Sequence, residues 1–158
     1  MEIDFSVSPR VSRWFHRSVA VERGPLVFSF GIGEDWVKLR DRGMTADWQV
    51  FPTTAWNYAL KVDESSASKG IAVDETAVGD APFTARHAPV RLSVKARKLD
   101  AWRAEDGAAN PLPQSPVASD QPEETITLIP YAAAKLRITA FPQLAMGPEN
   151  SSTDPASN

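Results

Sequence analysis

The sequence predicts an all-β fold, an antiparallel β-sandwich of the jelly-roll or Greek-key kind. Three observations carry this. Apolar and polar residues alternate with period two in short runs, 13 prolines and 8 glycines break those runs, and only the brief stretch "AAAKLR" has helical character.

The elements follow in order. "EIDFSV" (2–7) and "SVAVE" (18–22) alternate as half-buried strands do. "PLVFSFGI" (25–32) sets Leu26, Phe28, Phe30 and Ile32 on one side. "GIGEDW" carries Gly31 and Gly33, half of a dinucleotide fingerprint. It lacks the third glycine and opens no helix, so it reads as a strand end or hairpin turn, and no cofactor is expected. "WQVFPTTAWNYAL" (48–60) gathers four aromatic residues. As a strand it places Trp48, Val50 and Pro52 on one face and Gln49 and Phe51 on the other. A sandwich needs large inward residues, each removing roughly 150–250 Å² from water. Trp48 and Phe51 are therefore expected in the core. Trp56 and Tyr58 are expected in the core or at a domain interface, and they are the first candidates for any ligand face.

Further along, "VRLSVKA" (90–96) alternates Val90, Leu92, Val94 and Ala96 with Arg91, Ser93, Lys95 and Arg97. Arg91, Lys95, Arg97 and Lys98 then form a basic outer face, solvated or set against an acidic neighbour. "ETITLIPY" (124–131) and "AKLRITAF" (134–141) read as two strands around a turn near "YAAA". Three polar segments read as connections or tail: 63–70, the long Pro-rich 105–124, and 147–158. The domain is expected to span 1–146, with a flexible tail over 147–158.

Composition limits function. The 158 residues suit one domain, and a net charge of −3 argues against a duplex nucleic-acid binder. No apolar run is long enough to cross a bilayer, so no membrane partner is expected. The N-terminal residues do not read as a signal peptide. An exported form would need a leader; the residues leave the location open, a periplasmic or extracellular parent protein included. The sequence has no cysteine, which removes thiolate nucleophiles and thiolate metal ligands. His16 and His87 lie far apart with no acidic spacing partner, so neither a metal site nor a triad is expected. Adjacent acids such as Glu34-Asp35 and Glu123-Glu124 sit beside turn residues. A two-carboxylate glycosidase needs its acids roughly 5–10 Å apart across a cleft, which neighbours in a loop do not give.

Three stretches carry a resemblance: "SVAVERGPLVFSFGIGEDW" (18–36), "DWQVFPTTAWNYAL" (47–60) and "ETITLIPYAAAKLRITAFP" (124–142). In this order they resemble the C-terminal β-sandwich region of bacterial glycoside hydrolase family 127, the β-L-arabinofuranosidase-like proteins. The family's Arg-Gly-Pro-Leu-Val motif is matched by Arg23 to Val27. Its Leu-Ile-Pro-Tyr-Gly motif is matched by Leu128 to Tyr131, with Ala132 in place of the glycine. Lys135 to Arg137 and Phe141-Pro142 complete the match.

The resemblance implies an accessory role in carbohydrate metabolism. In that family an (α/α)6 barrel precedes this region and holds a cysteine-based catalytic site with zinc. No catalytic or metal-binding residue carries over to this chain. The expected partner is such a barrel, in cis or in trans, with plant-type glycans as the wider context. Trp36, Trp56, Asn57, Tyr58 and Tyr131 are the candidates for a domain-interface or sugar-binding surface. An autonomous carbohydrate-binding module using surface aromatics is the alternative.

Overall fold

A computed structural model describes residues 7–146. The structure is antiparallel β, with 45% strand against 9% helix, and its main sheet is curled. That sheet has seven strands: β1 (Pro9–Arg13), β2 (Val19–Arg23), β3 (Leu26–Phe30), β6 (Tyr58–Leu60), β7 (Ile71–Glu75), β8 (Val90–Lys98) and β11 (Glu123–Pro130). The spatial order is β1-β2-β3-β11-β8-β6, with β7 also pairing β8. A separate hairpin joins β4 (Glu34–Asp41) to β5 (Ala46–Pro52), and a minor one joins β9 (Ala104–Glu105) to β10 (Ala108–Ala109).

Local chemistry explains the strands. β2 and β3 form a two-residue hairpin in which Arg23 pairs Leu26. Gly24 takes the first turn position at φ +57°, a conformation open to glycine, and Pro25 follows. β8 pairs with three strands, β11, β6 and β7, and its alternation holds as expected: Leu92, Val94 and Ala96 are buried. Their neighbours in the core are Phe28, Leu60, Leu128 and Phe141, all fully buried. Each such side chain contributes roughly 1.5–3 kcal/mol by leaving water.

The "AKLRITAF" stretch does not form a strand. Its backbone bonds, and those of the residues just after it, are shared among several neighbours. Phe30 N–H donates to Ile138 O, Val19 and Phe141 exchange two bonds, and Leu60 N–H donates to Pro142 O. The segment thus straps β3, β2 and β6 together across the curled sheet, so no single ladder develops. Leu136 and Ile138 still pack on the core, which accounts for their strand-like pattern.

The hairpin β4–β5 corrects a second expectation. Trp48 and Phe51 are not core residues; they are 49% and 43% exposed. β4 and β5 pair only with each other, and no residue of either strand is buried, so the ribbon stands off the core. The close approach of Gly33 to Thr53 and Thr54 sets where this ribbon leaves the body. A Cβ on Gly33 would lie 2.4 Å from Thr53 Oγ1.

The basic side of β8 is largely tied down. Arg91 donates to the carbonyls of Ala85 and Arg86, Arg97 to those of Ser119 and Gln121, and Lys98 pairs with Asp100. The connection 63–70 is a capped helical turn, with Asp63 accepting from Ser65 N–H. The expected strand over 2–7 lies almost wholly outside the described residues, and the expected tail over 147–158 lies wholly outside them.

Candidate functional site

One concave feature is an apolar groove of about 560 Å³. One wall is the β2–β3 turn, Pro25, Leu26 and Val27. The other is the end of β11, Pro130, Tyr131 and Ala132. Trp14 closes one side. Only Thr139 and Tyr131 among the lining residues carry a polar side-chain oxygen, and none carries a charge at neutral pH. The groove can therefore bury apolar surface, and its lining carries no Asp, Glu, His, Lys, Arg or Cys.

Both walls come from turns. β11 ends at Pro130, and a 3-10 turn over Tyr131–Ala133 follows. Ala133 and Ala134 are buried under this turn beside Ile129, which fixes its position and leaves Tyr131 outside. The guanidinium of Arg137 covers the Tyr131 ring at 4.4 Å from its centroid, and Arg137 Nε donates to Ala134 O at 3.0 Å. Tyr131 is thus an exposed aromatic held in one place.

The Trp14 side is built on a strained turn. His16 and Arg17 both have φ of 55°, a left-handed conformation that costs of order 1–3 kcal/mol per residue. Several bonds offset it. His16 Nδ1–H donates to Leu112 O at 2.6 Å, Ser115 N–H donates to His16 O at 2.9 Å, and Ser18 Oγ donates to Phe15 O at 2.7 Å. Trp14 Nε1 is held by Ser12 Oγ at 2.9 Å. The result places Trp14 and Phe15 in solvent, 63% and 72% exposed. A turn so tied, with its two largest apolar residues outward, presents a surface rather than filling a core.

The sequence candidates separate into three places. Tyr131 lines the groove. Trp36 stands on the open hairpin, 44% exposed, edge-on to Trp48 with ring centroids 6.1 Å apart. Trp56 is half-buried against Trp102, centroids 5.0 Å apart. Asn57 donates to Leu99 O and Trp102 O at 2.6 and 3.0 Å. Tyr58 is core: its ring packs edge-on against Phe30, and its hydroxyl donates to Glu124 at 3.1 Å. Burial and the Glu124 carboxylate together push the Tyr58 hydroxyl above its ordinary pKa. The 48–60 stretch therefore has no single role, since it crosses from open ribbon into the core.

Sequence reasoning missed Trp14, Phe15 and the groove walls at Pro25 and Val27. The available signal was "RWFHR", where two large aromatics sit between cations outside any alternating run. Among the described residues no group of three His, Cys, Asp or Glu side chains could hold a metal ion. No protein family, curated protein or solved structure matches the chain.

Proposed function

We propose that this chain is a non-catalytic β-sandwich domain of a β-L-arabinofuranosidase-like glycoside hydrolase, which packs on a separate (α/α)6 catalytic barrel and positions it. One observation carries the reading. The two motifs that resemble family 127, around Arg23–Val27 and Leu128–Tyr131, are far apart in sequence yet meet on the paired strands β3 and β11 and together line one apolar groove. Strand pairing brings them together, but it does not require their side chains to be apolar, and Leu26, Val27 and Tyr131 stand exposed. Exposed apolar area of this kind is costly unless another surface covers it.

On this reading the domain hydrolyses nothing alone, because a chain without cysteine supplies neither a thiolate nucleophile nor thiolate zinc ligands. The test pairs two assays. The purified chain is assayed on aryl β-L-arabinofuranosides, and a family 127 barrel lacking its sandwich region is heated with and without the chain. The expected result is no turnover by the chain and a higher melting temperature of the barrel in its presence. Turnover that co-purifies with the chain, or a barrel indifferent to it, overturns the proposal.

The second reading is an autonomous carbohydrate-binding module. The pair Trp36 and Trp48, exposed on one face of the ribbon, is the observation that favours it. Saturable binding of neutral arabino-oligosaccharides that is lost in Trp36→Ala would support this reading.

A further inference from the structure

A second concavity lies away from the apolar groove, and its chemistry differs. It is a cleft of about 320 Å³ between the approach to β6 and the loop after β8, lined by Thr54, Trp56, Asn57, Lys98, Trp102 and Arg103 among others. We propose that this cleft binds an acidic sugar, a uronate residue within a glycan, with the sugar ring on Trp56 and its carboxylate on Arg103.

The cleft is rigid. Trp102 is buried and holds Trp56 edge-on. Trp102 Nε1 donates to Asn110 O at 2.9 Å, and the Asn57 amide latches the loop by its two bonds to Leu99 O and Trp102 O. Leu99 N–H returns a bond to Asn57 O at 2.7 Å. A preformed cleft loses little on ordering when a ligand arrives.

The polar groups around it are not all used. Arg103 donates through Nε to Asp100 O at 3.1 Å, which orients the guanidinium and leaves its two Nη groups without an acceptor among the described residues. The Trp56 indole N–H and the Asn57 Oδ1 atom likewise have no partner among them. A half-buried indole beside an exposed planar cation fits a ring that carries a carboxylate, because guanidinium matches carboxylate two-pronged. Lys98 adds positive charge, reduced by its pairing with Asp100 at 3.2 Å. Asp100 is the acid at this site; Lys98, Gln121 and the Arg103 contact to its backbone hold it on the side of the loop. A neutral sugar would leave the Arg103 fork unpaired.

This inference does not depend on the groove or on any barrel. The test is titration of the full chain with tri-galacturonate, followed by tryptophan fluorescence and calorimetry, with arabinotriose as the neutral comparison. Arg103→Gln is the main variant, since this exposed side chain can change without disturbing the fold. Trp56→Ala and Trp36→Ala report which indole is involved. Expected is saturable binding of the acidic sugar, about tenfold weaker for arabinotriose and about tenfold weaker in Arg103→Gln. No saturable binding of tri-galacturonate, equal affinity for both sugars, or an unchanged Arg103→Gln overturns the proposal. If Trp56→Ala fails to fold, the Arg103→Gln result still decides.

Discussion

Arg137 lies over the ring of Tyr131, its guanidinium carbon 4.4 Å from the ring centroid, and fixes an exposed aromatic at the rim of the apolar groove. An exposed cation–π contact is worth only about 0.5–1 kcal/mol in stability. Its larger effect is on order, because a ring already held in place loses less freedom on docking. Arg137→Ala should therefore change the chain's unfolding free energy by less than about 1 kcal/mol. It should weaken binding to a barrel by about three- to tenfold, the worth of one immobilised side chain. Urea unfolding and a binding titration measure the two separately.

Asn57 stands in the aromatic stretch but serves the fold. Its amide satisfies two carbonyls at once, Leu99 O and Trp102 O. Asn57→Ala leaves both without that donor and should cost about 2–4 kcal/mol. Urea denaturation should show a lower midpoint with an unchanged slope. A midpoint equal to the wild type's would mean that water replaces the amide freely.

The ribbon and the core should respond differently to truncation. Trp48→Ser and Phe51→Ser alter side chains that no second sheet covers, so each should change stability by no more than about 1 kcal/mol. Phe28→Ala empties a fully buried site and should cost about 3–5 kcal/mol. Thermal melts of the three variants separate these outcomes. A large loss in Trp48→Ser would place that ring in a core contact.

The Tyr58 hydroxyl gives an alkaline signature. Burial and the neighbouring Glu124 carboxylate raise its pKa in the folded chain. Above the ordinary tyrosine value of about 10, the unfolded chain loses this proton while the folded chain keeps it. Unfolding then releases a proton, so stability from this group is present below about pH 10 and falls as pH rises through the folded pKa. Tyr58→Phe should flatten that alkaline decline and lose a little stability at neutral pH with the Glu124 bond. Unfolding free energies measured at neutral pH and above pH 10 check it; parallel declines in both proteins would refute it.

Much of the fold was legible because period-two burial is a local property. Leu92 to Ala96 alternate in sequence as they do in the sheet, whereas in β3 Ser29 is as buried as Phe28 and Phe30, so that strand is covered on both faces. The same logic failed where coverage is decided elsewhere. Trp48 and Phe51 look like core residues in sequence, but they sit on a ribbon none of whose strand residues is buried. Leu136 and Ile138 carry a strand's pattern while their segment crosses several strands instead of following one. The groove was legible only in part. Tyr131 was visible through its motif, whereas Trp14 depends on two left-handed residues at 16 and 17 that no residue pattern announces.

The central claim is that the groove between Leu26 and Tyr131 docks a catalytic barrel. The most direct measurement is calorimetric titration of the chain with a family 127 (α/α)6 barrel made without its sandwich region. A one-to-one complex with a Kd of about 1 µM or tighter is expected. The double change Leu26→Asp and Tyr131→Asp should abolish binding while circular dichroism stays unchanged, since both side chains are already exposed. No heat of binding, or the same affinity in the double variant, would contradict it.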